Sequence, residues 1–353
     1  MAYTTIDNPE LYFQVKTYTG NGSTNAITLD GDEDMQPNMI WFKCRSATEH
    51  HGVFDNVRGV TKVIYPNLTN TEDTVSDSLS SFDSNGFTLG ADTGSGGAFN
   101  GNTKTMVAWC WKAGGSASSN SNGSITSSVS ANTTAGFSIV AYTGNETAGA
   151  TVGHGLGAVP QTYWVKSRSV GDGWRVYHHK VSSDPETDYL VLNNDNANAD
   201  SHGYWDDTAP TSSVFSLGPA GEVNTNSSTN IAYCFTEIKG YSKFGSYVAN
   251  GNSDNAFVYT GFRPTFLLTK LSSTSGGGWE IVDSKRDGYN GENNRLYPND
   301  TAAEGTGNDY DLLSNGFKVR QSGGSQQSGR TNIYMAFAES PFVNSNGVPN
   351  NAR

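Results

Sequence analysis

Short apolar segments alternate with clusters of glycine, asparagine, aspartate and serine along the whole chain. Residues 39–44 read Met-Ile-Trp-Phe-Lys-Cys and are apolar at nearly every position, which predicts a strand covered on both faces. Pairs such as Asn21-Gly22 and Asn85-Gly86 lie beside such segments and favour tight reversals. The pattern therefore predicts an all-β protein made of many short antiparallel strands.

The apolar pattern occurs three times, with the same landmarks in the same order. Each copy has a proline, an apolar residue four positions later and a lysine six positions later: Pro37, Trp41 and Lys43; Pro160, Trp164 and Lys166; Pro264, Leu268 and Lys270. A unit of roughly a hundred residues with several short strands is typical of an antiparallel β-sandwich. We call the three copies repeat 1, repeat 2 and repeat 3.

We predict that each repeat is one β-sandwich module of the jelly-roll or lectin-like kind, and that the three modules follow one another in tandem. The predicted boundaries are a polar lead-in at 1–11, repeat 1 at 12–113, a linker at 114–135, repeat 2 at 136–240, repeat 3 at 241–342 and a C-terminal tail at 343–353. The linker is nearly all Gly, Ser, Asn, Thr and Ala, although residues 124–129 could add an edge strand. We expect independent domains, with strand exchange between neighbours as an open alternative.

Composition agrees with a β protein and narrows the choice of partners. Glycine accounts for 41 of 353 residues, aromatic residues reach 11% and charged residues only 16%. The formal net charge of −12, without a run of basic residues, argues against nucleic acid as a partner. The three cysteines have no metal-ligand spacing, so we predict that they are small buried apolar residues.

The N-terminal segment does not have the pattern of a secretion signal. Residues 1–10 lack a charged stretch followed by an apolar one, and no apolar run approaches the ~20 residues that a membrane span requires. We therefore expect a protein that is made in a cytoplasm and is not inserted in a membrane.

Two kinds of side chain recur between the repeats, and we interpret both as structural. Asp55 and Arg58 correspond to Asp283 and Arg286, whereas repeat 2 has His178 and Val181 at these positions. We interpret the pair as a brace at a corner of the fold. The recurring tryptophans, Trp41 with Trp164 and Trp174 with Trp279, are predicted to lie in the core.

No metal ion or cofactor is predicted. The acidic run at residues 30–34 resembles the start of a calcium loop, but the twelfth position is Trp41 instead of the bidentate glutamate, which favours a solvated turn. His178 and His179 should point to opposite faces of a strand, so they are not expected to share a zinc ion. His154, in a glycine-rich turn, is interpreted as a residue that bonds the backbone.

The sequence contains no motif of a known hydrolase, and no catalytic residue is predicted. Neither a Gly-x-Ser-x-Gly elbow nor a His-Glu-x-x-His helix is present. Glycan hydrolysis would need two carboxylates that face each other across a cleft, a geometry that sequence alone does not reveal.

One segment of repeat 2 has no counterpart in the other repeats and is our candidate for binding a ligand. Residues 201–207 place Tyr204 and Trp205 next to Asp206, in a polar insertion. Aromatic rings stack on the faces of sugars and carboxylates bind hydroxyl groups, so these three residues would suit a carbohydrate. The alternative is an aromatic plug that fills the space beneath a long loop.

Several phrases resemble a repeated domain of unassigned activity that occurs in virion structural proteins and tail-fibre-like proteins of marine tailed bacteriophages, including those of cyanobacteria. The resemblance covers the chain from about residue 12 onward. It is carried by Tyr-Thr-Gly-Asn-Gly (18–22), Asp-Asn-Val-Arg-Gly (55–59), Ser-Phe-Asp-Ser-Asn-Gly-Phe-Thr-Leu-Gly (81–90), Val-Ala-Trp-Cys-Trp-Lys-Ala-Gly-Gly (107–115), Gly-Tyr-Ser-Lys-Phe-Gly-Ser-Tyr (240–247), Tyr-Thr-Gly-Phe-Arg-Pro (259–264) and Tyr-Met-Ala-Phe-Ala-Glu-Ser-Pro-Phe (334–342).

The resemblance implies a protein of the virion surface, made in the host cytoplasm, whose partners are other tail or capsid proteins. Our leading hypothesis is a non-enzymatic tail fibre or adhesin that recognises host cell-surface glycans, and a homotrimer would be compatible with it. The alternative is a capsid decoration or spike with a structural role only, and the third reading is a glycan depolymerase. The family brings no defined catalytic or binding residues to this chain.

Overall fold

Antiparallel strands form nearly all of the regular structure in a computed structural model of the chain, which describes residues 3–286, 290–291 and 293–349. Residues 1–2 of the predicted lead-in and 350–353 of the predicted tail lie outside the described residues. The protein is all-β, as predicted from the pattern of apolar segments. The two α-helices, α1 (His202–Trp205) and α2 (Gly221–Asn224), are one turn each.

The strands of repeat 1 are β1 (Phe13–Thr19), β2 (Asn25–Thr28), β3 (Met39–Cys44), β4 (Gly52–Asp55), β5 (Lys62–Val63), β6 (Asp73–Thr74), β7 (Leu79–Asp83), β8 (Gly86–Leu89) and β9 (Thr105–Trp111). Two strands follow before repeat 2, β10 (Ser118–Asn120) and β11 (Ser127–Asn132). Repeat 2 contains β12 (Phe137–Thr143), β13 (Ala150–Gly153), β14 (Thr162–Ser167), β15 (Arg175–His178), β16 (Asp188–Val191), β17 (Ala199–Asp200), β18 (Val214–Leu217) and β19 (Thr229–Phe235). Repeat 3 contains β20 (Ser242–Val248), β21 (Phe257–Tyr259), β22 (Phe262–Leu271), β23 (Trp279–Asp283), β24 (Asn293–Arg295), β25 (Gly305–Gly307), β26 (Tyr310–Leu313), β27 (Gly316–Val319) and β28 (Thr331–Pro341).

The same order of strands recurs in the three repeats. The larger sheet runs β1-β9-β3-β4 in repeat 1 and β20-β28-β22-β23 in repeat 3, and the order β12-β19-β14-β15 lies within an eight-stranded sheet in repeat 2. A smaller sheet accompanies each of them: β2-β8-β7, β13-β18 and β21-β27-β26. The last strand of each repeat therefore pairs with its first strand and its third, which ties the two ends of the repeat together.

Each large sheet buries both of its faces, and this explains the consecutive apolar residues in its inner strands. All six residues of β3 are buried, as are all six of β14. Because successive side chains of a strand point to opposite faces, Trp41 joins one core while Ile40 and Phe42 join another. The predicted burial of this segment on both faces is confirmed.

One face of every large sheet contributes to a single core that all three repeats share. Trp41 of repeat 1 packs edge-on against Trp164 of repeat 2, with ring centroids 5.8 Å apart. Trp111 of repeat 1 and Phe235 of repeat 2 both contact Phe337 of repeat 3, at 5.8 Å and 6.2 Å. We had expected independent domains; this expectation is wrong, because a continuous apolar core crosses every boundary between the repeats.

The opposite face of each large sheet packs on the smaller sheet of the same repeat and forms a local core. In repeat 1 this core is rich in phenylalanine, with Phe42, Phe54 and Phe99 in mutual contact. Repeats 2 and 3 have their own local cores around Tyr163 and Phe317. The molecule thus has one shared core and three local ones.

Residues 114–135 are more than a linker. Strand β11 pairs with β12 along its whole length, and β10 pairs with β11 on the other side, so the large sheet of repeat 2 gains two strands. Val129 and Ile125 also enter the local core of repeat 2. A ladder of backbone hydrogen bonds needs few apolar side chains, which is why a segment rich in Ser and Asn can still form strands. An edge strand was possible at residues 124–129; the observed strand β11 begins three residues later and is not at the edge, because β10 pairs outside it.

Two smaller predictions are confirmed by burial. Cys44, Cys110 and Cys234 are free thiols in the interior, and the recurring tryptophans lie in the shared core. No helix within the described residues is long and apolar enough to cross a membrane.

Candidate functional site

The recurring lysines connect each repeat to another one. Lys43, Lys166 and Lys270 are fully or almost fully buried, and each Nζ donates a hydrogen bond to the carbonyl of the following residue. Each also donates across a boundary between repeats: Lys43 to Thr301 O (3.1 Å), Lys166 to Thr69 O (3.3 Å) and Lys270 to Asp195 O (3.5 Å). Burial lowers the pKa of all three to about 8.

These bonds run in one direction around the molecule, and aromatic side chains follow the same route. Repeat 1 contacts repeat 3, repeat 3 contacts repeat 2 and repeat 2 contacts repeat 1. Trp174 Nε1 donates to Tyr65 O and Trp279 Nε1 donates to Val191 O, both at 2.9 Å. The three repeats therefore form a closed ring, which spacing along the sequence did not reveal.

In repeat 1, His51 occupies the position that Trp174 has in repeat 2 and Trp279 has in repeat 3. Trp41 Nε1 donates to its Nδ1 at 2.9 Å, and because an indole nitrogen is only a donor, Nδ1 must be the unprotonated nitrogen of a neutral ring. Burial, together with the charge of Lys43, lowers the pKa of His51 well below its usual value. The ring is therefore a neutral structural group.

The recurring aspartate–arginine pairs also lie at boundaries between repeats. Arg58 Nε bonds Asp55 Oδ2 at 2.5 Å, and the same carboxylate oxygen accepts from Tyr233 of repeat 2 at 2.6 Å. Arg286 Nε bonds Asp283 Oδ2 at 2.6 Å, and that oxygen accepts from Trp109 of repeat 1 at 3.0 Å. The interpretation as a corner brace is thus too local, since each pair joins two repeats.

In repeat 2, His178 takes the place of the aspartate. Its Nε2 donates to the carbonyl of Tyr334 in repeat 3 at 3.2 Å, and burial lowers its pKa to about 3. His179 Nε2 donates to Phe244 O at 2.9 Å. Both histidines serve the boundary between repeats 2 and 3, which explains why repeat 2 can lack the ion pair.

Two of the boundaries carry a glutamate that bridges two arginines. Glu72 contacts Arg58 of its own repeat at 3.2 Å and Arg168 of repeat 2 at 2.8 Å. Glu304 contacts Arg286 of its own repeat at 2.9 Å and Arg45 of repeat 1 at 2.8 Å. At the third boundary Asn198 takes the place of the glutamate and keeps only its backbone bond, from Asn198 N to Ser272 O (2.9 Å), which matches those from Glu72 N to Arg168 O and from Glu304 N to Arg45 O.

The predicted ligand patch is mostly inside the protein. Trp205 is fully buried, and its Nε1 donates to Asp188 O at 3.0 Å. Tyr204 is 7% exposed, its hydroxyl donates to Glu222 at 3.2 Å and the guanidinium of Arg175 lies 4.8 Å from its ring centroid. The ring of Trp205 has no face open to a sugar, and the geometry is that of the aromatic plug.

The local sequence accounts for this burial. Ser201 caps the single turn of α1 by accepting from Gly203 N, and Asp206 ends it in the left-handed conformation with φ 55°. The turn directs Tyr204 and Trp205 inward and leaves Asp206 partly exposed at its end. Of the three predicted residues, only Asp206 is partly open to solvent.

The other candidate residues from the sequence, His154 and the acidic run at residues 30–34, have structural roles or are exposed to solvent. His154 is buried, accepts from Leu156 N and donates to Thr211 O, so it bonds the backbone as predicted. The carboxylates of residues 30–34 are exposed, and Lys16 and Asn85 contact two of them. Among the described residues, no group of three or more His, Cys, Asp or Glu is placed to hold a metal ion.

Sequence reasoning missed an exposed pair of aromatic side chains in repeat 3. Phe257 and Tyr259 are each 47% exposed and lie on the same face of β21, an edge strand of its small sheet. Tyr259 Oη lies 2.8 Å from Tyr3 Oη, and Lys243 Nζ lies 5.8 Å from the Tyr259 ring centroid. The corresponding positions are Ala26 and Thr28 in repeat 1 and Thr151 and Gly153 in repeat 2, a difference that alignment of the repeats could have shown.

The fold and these contacts define an all-β protein whose three sets of sheets close on one core. The chain belongs to the family described as Domain of unknown function (DUF7483), whose model matches residues 8–341. The matched segment includes the strands of all three repeats. Comparison with curated proteins and with solved structures finds no match.

Proposed function

We propose that the protein is a non-enzymatic surface protein of a bacteriophage virion and acts as an adhesin for host cell-surface glycans. The sequence phrases shared with phage virion and tail-fibre-like proteins support the setting. The exposed pair Phe257 and Tyr259 supports the task, because an exposed patch of large apolar side chains is a common mark of a binding surface. The proposed partners are the glycan on one side and other virion proteins on the other.

The geometry of the pair suits a sugar. Alternate residues of a strand lie about 6.5 Å apart on one face, which places two rings side by side as a flat apolar platform. Lys318 is paired with Phe257 across the sheet, and Lys243 lies near the ring of Tyr259. Rings that stack on sugar faces and nearby polar groups that bind hydroxyls form the same combination that we had sought at Tyr204 and Trp205.

We further propose that each large sheet and its small sheet form one sandwich module, so that three modules stand in tandem within the ring. The common strand order and the local core between the two sheets of each repeat support this proposal. A rigid ring would hold the aromatic platform in a fixed orientation on the particle.

Binding of the full-length protein to an array of bacterial surface polysaccharides tests the adhesin proposal. We expect the wild type to bind at least one polysaccharide and the double variant F257S/Y259S to bind it at least tenfold more weakly. Val248→Ser is the matched control, since Val248 is 60% exposed but lies on another strand, β20. Failure of the wild type to bind any polysaccharide would overturn the proposal, as would equal binding by the double variant.

The same mixtures of protein and polysaccharide test the alternative that the protein is a glycan depolymerase. Release of reducing sugar from a bound polysaccharide would identify a depolymerase and contradict the non-enzymatic part of the proposal.

A capsid decoration or spike is the second candidate, and the closed ring favours it. Three repeats that close on one core form a single body with few flexible joints, which suits a protein that sits on a shell. Copies per virion distinguish the two candidates: tens of copies fit a fibre, whereas hundreds, measured by gel densitometry against the major capsid protein, fit a decoration.

A further inference from the structure

A polar groove of about 380 Å³ lies where the end of repeat 1 meets the segment before repeat 2. Lys112 and Gly114, which follow β9, form one side, and Asn132 and Thr133, at the end of β11, form the other. Its volume is within the range of small-molecule sites, about 300–1,000 Å³, and is much larger than an inorganic ion needs.

Asn38 lines this groove. The residue is only 4% exposed and its backbone groups bond Trp111 and Asn56, whereas its side-chain amide has no hydrogen-bond partner among the described residues. The polar atoms of this amide are not sealed from solvent, so water or a ligand in the groove supplies their hydrogen bonds. The Asn38 amide is therefore available to a ligand in the groove.

The other two repeats provide an internal comparison. Gln161 and Thr265 occupy the position of Asn38, directly after the recurring proline and beside the last strand of the repeat. Gln161 Oε1 accepts from Glu237 N at 2.5 Å, and Thr265 Oγ1 lies 2.9 Å from Ser284 Oγ. Within the part of the chain that the structure describes, the side chain at this position lacks a hydrogen-bond partner only in repeat 1.

Asn56 fixes the wall of the groove next to Asn38. Its Nδ2 donates to Gly115 O at 2.7 Å, and Gly115 lines the groove. The Oδ1 atom of Asn56 is buried away from the groove, so Asn56 supports the shape of the site and is not itself a ligand contact.

The positive charge in the groove indicates which kind of ligand it can bind. Lys112 is its only charged lining residue, and it forms no ion pair with an acidic side chain among the described residues. No aspartate or glutamate lines the groove, although the chain as a whole has a net charge of −12. An unpaired cation without a nearby carboxylate favours an anionic ligand.

We propose that this groove binds a carboxylate-bearing sugar unit of an acidic polysaccharide. Lys112 pairs with the sugar carboxylate, and the amide of Asn38 bonds sugar hydroxyl groups. The proposal rests on the adhesin function and adds a ligand class to it: the aromatic platform of repeat 3 contacts the apolar face of a glycan, and the groove contacts its acidic units.

Titration of the full-length protein with D-glucuronate, followed by protein NMR, tests the site. We expect saturable shifts of the Asn38 and Lys112 resonances, and at least tenfold weaker binding by K112M and by N38A. Lys180→Met is the matched control because it removes the same charge from an exposed residue outside the groove. Thermal melting of each variant confirms that it is folded.

Two further compounds, one sugar and one acid, test which groups of the ligand are recognised. D-glucose, which lacks the carboxylate, should bind more weakly than D-glucuronate, and acetate, which lacks the hydroxyl groups, should also bind more weakly. Absence of D-glucuronate binding, equal binding by the groove variants, or acetate binding as tight as that of D-glucuronate would each overturn the proposal.

The outcome is separable from that of the adhesin proposal. Polysaccharide binding that depends on Phe257 and Tyr259, without any D-glucuronate binding, would remove the groove and leave the adhesin function in place. D-glucuronate binding in the groove by a protein that binds no polysaccharide on the array would support the groove and remove the adhesin function.

Discussion

Three buried lysines connect the repeats of the ring to one another. Lys43, Lys166 and Lys270 are equivalent in sequence, and each is enclosed by carbonyl oxygens of its own repeat and of another. A lysine in the middle of an apolar strand needs partners, so its recurrence predicts a polar contact inside the fold. The identity of that contact, a carbonyl in another repeat, depends on tertiary structure and could not be inferred from the sequence.

The buried position of Lys166 predicts a pH-dependent contribution to stability. Burial lowers its pKa to about 8, whereas the unfolded chain has the ordinary value of 10.5. Between these two values the unfolded state binds more protons than the folded state, so the contribution of the lysine to stability increases as the pH rises. Below pH 8 the side chain is protonated in both states, and the contribution is constant.

Lys166→Met keeps most of the apolar volume and removes the titrating group. The free energy of unfolding of the wild type minus that of K166M should rise by up to about 1.4 kcal/mol per pH unit between pH 8 and pH 10. Chemical denaturation at several pH values measures this difference, and exposed Lys180→Met should show none. A difference that stays constant up to pH 10 would mean that Lys166 keeps its ordinary pKa in the folded protein.

At the candidate sites, residue type was a poor guide because burial decides what a side chain can bind. Tyr204 and Trp205 have the chemistry of a sugar platform, but a capped turn directs both into the interior. Phe257 and Tyr259 were not singled out because alternating apolar residues in a strand usually face a core. Asn38 could not be recognised from the sequence, since its lack of a partner is a property of the folded chain.

At the scale of elements, the strands were the most predictable feature. Consecutive apolar residues predicted β3, and the pairs Asn21-Gly22 and Asn85-Gly86 predicted the reversals between β1 and β2 and between β7 and β8. Strands β10 and β11 were less apparent, because their side chains are mainly serine and asparagine and their stability depends on the ladder to β12. The low apolar content of residues 114–135 therefore concealed β10 and the position of β11 inside the sheet.

Hydrogen exchange tests the account of this segment. The backbone amides of β11 that bond to neighbouring strands should exchange slowly, at rates close to those of β12, because β11 lies between β10 and β12 in the sheet. Residues 121–123, in the turn between β10 and β11, serve as an internal reference for fast exchange. Fast exchange throughout residues 127–132 would show that the segment is a linker after all.

For the whole molecule, the number of repeats was predictable and their arrangement was not. The spacing of prolines and lysines identifies three copies, and it is equally compatible with a string of separate domains. Closure of the ring depends on contacts such as Arg45 with Glu304, which are separated by more than half of the chain.

The ring also changes how the molecule would work on a virion. Separate domains in tandem would act as a flexible rod, whereas a ring with one core presents its surfaces in fixed directions. The groove beside Lys112 and the platform on β21 belong to different repeats, and a rigid body would keep the distance between them constant. Such an arrangement suits recognition of an extended polysaccharide at two places.

Scanning calorimetry of the full-length protein tests the shared core most directly. Because the three repeats bury their apolar residues against one another, we expect a single unfolding transition whose van't Hoff and calorimetric enthalpies agree. Two or three separate transitions, or a van't Hoff enthalpy well below the calorimetric one, would show that the repeats unfold independently and would contradict the closed ring.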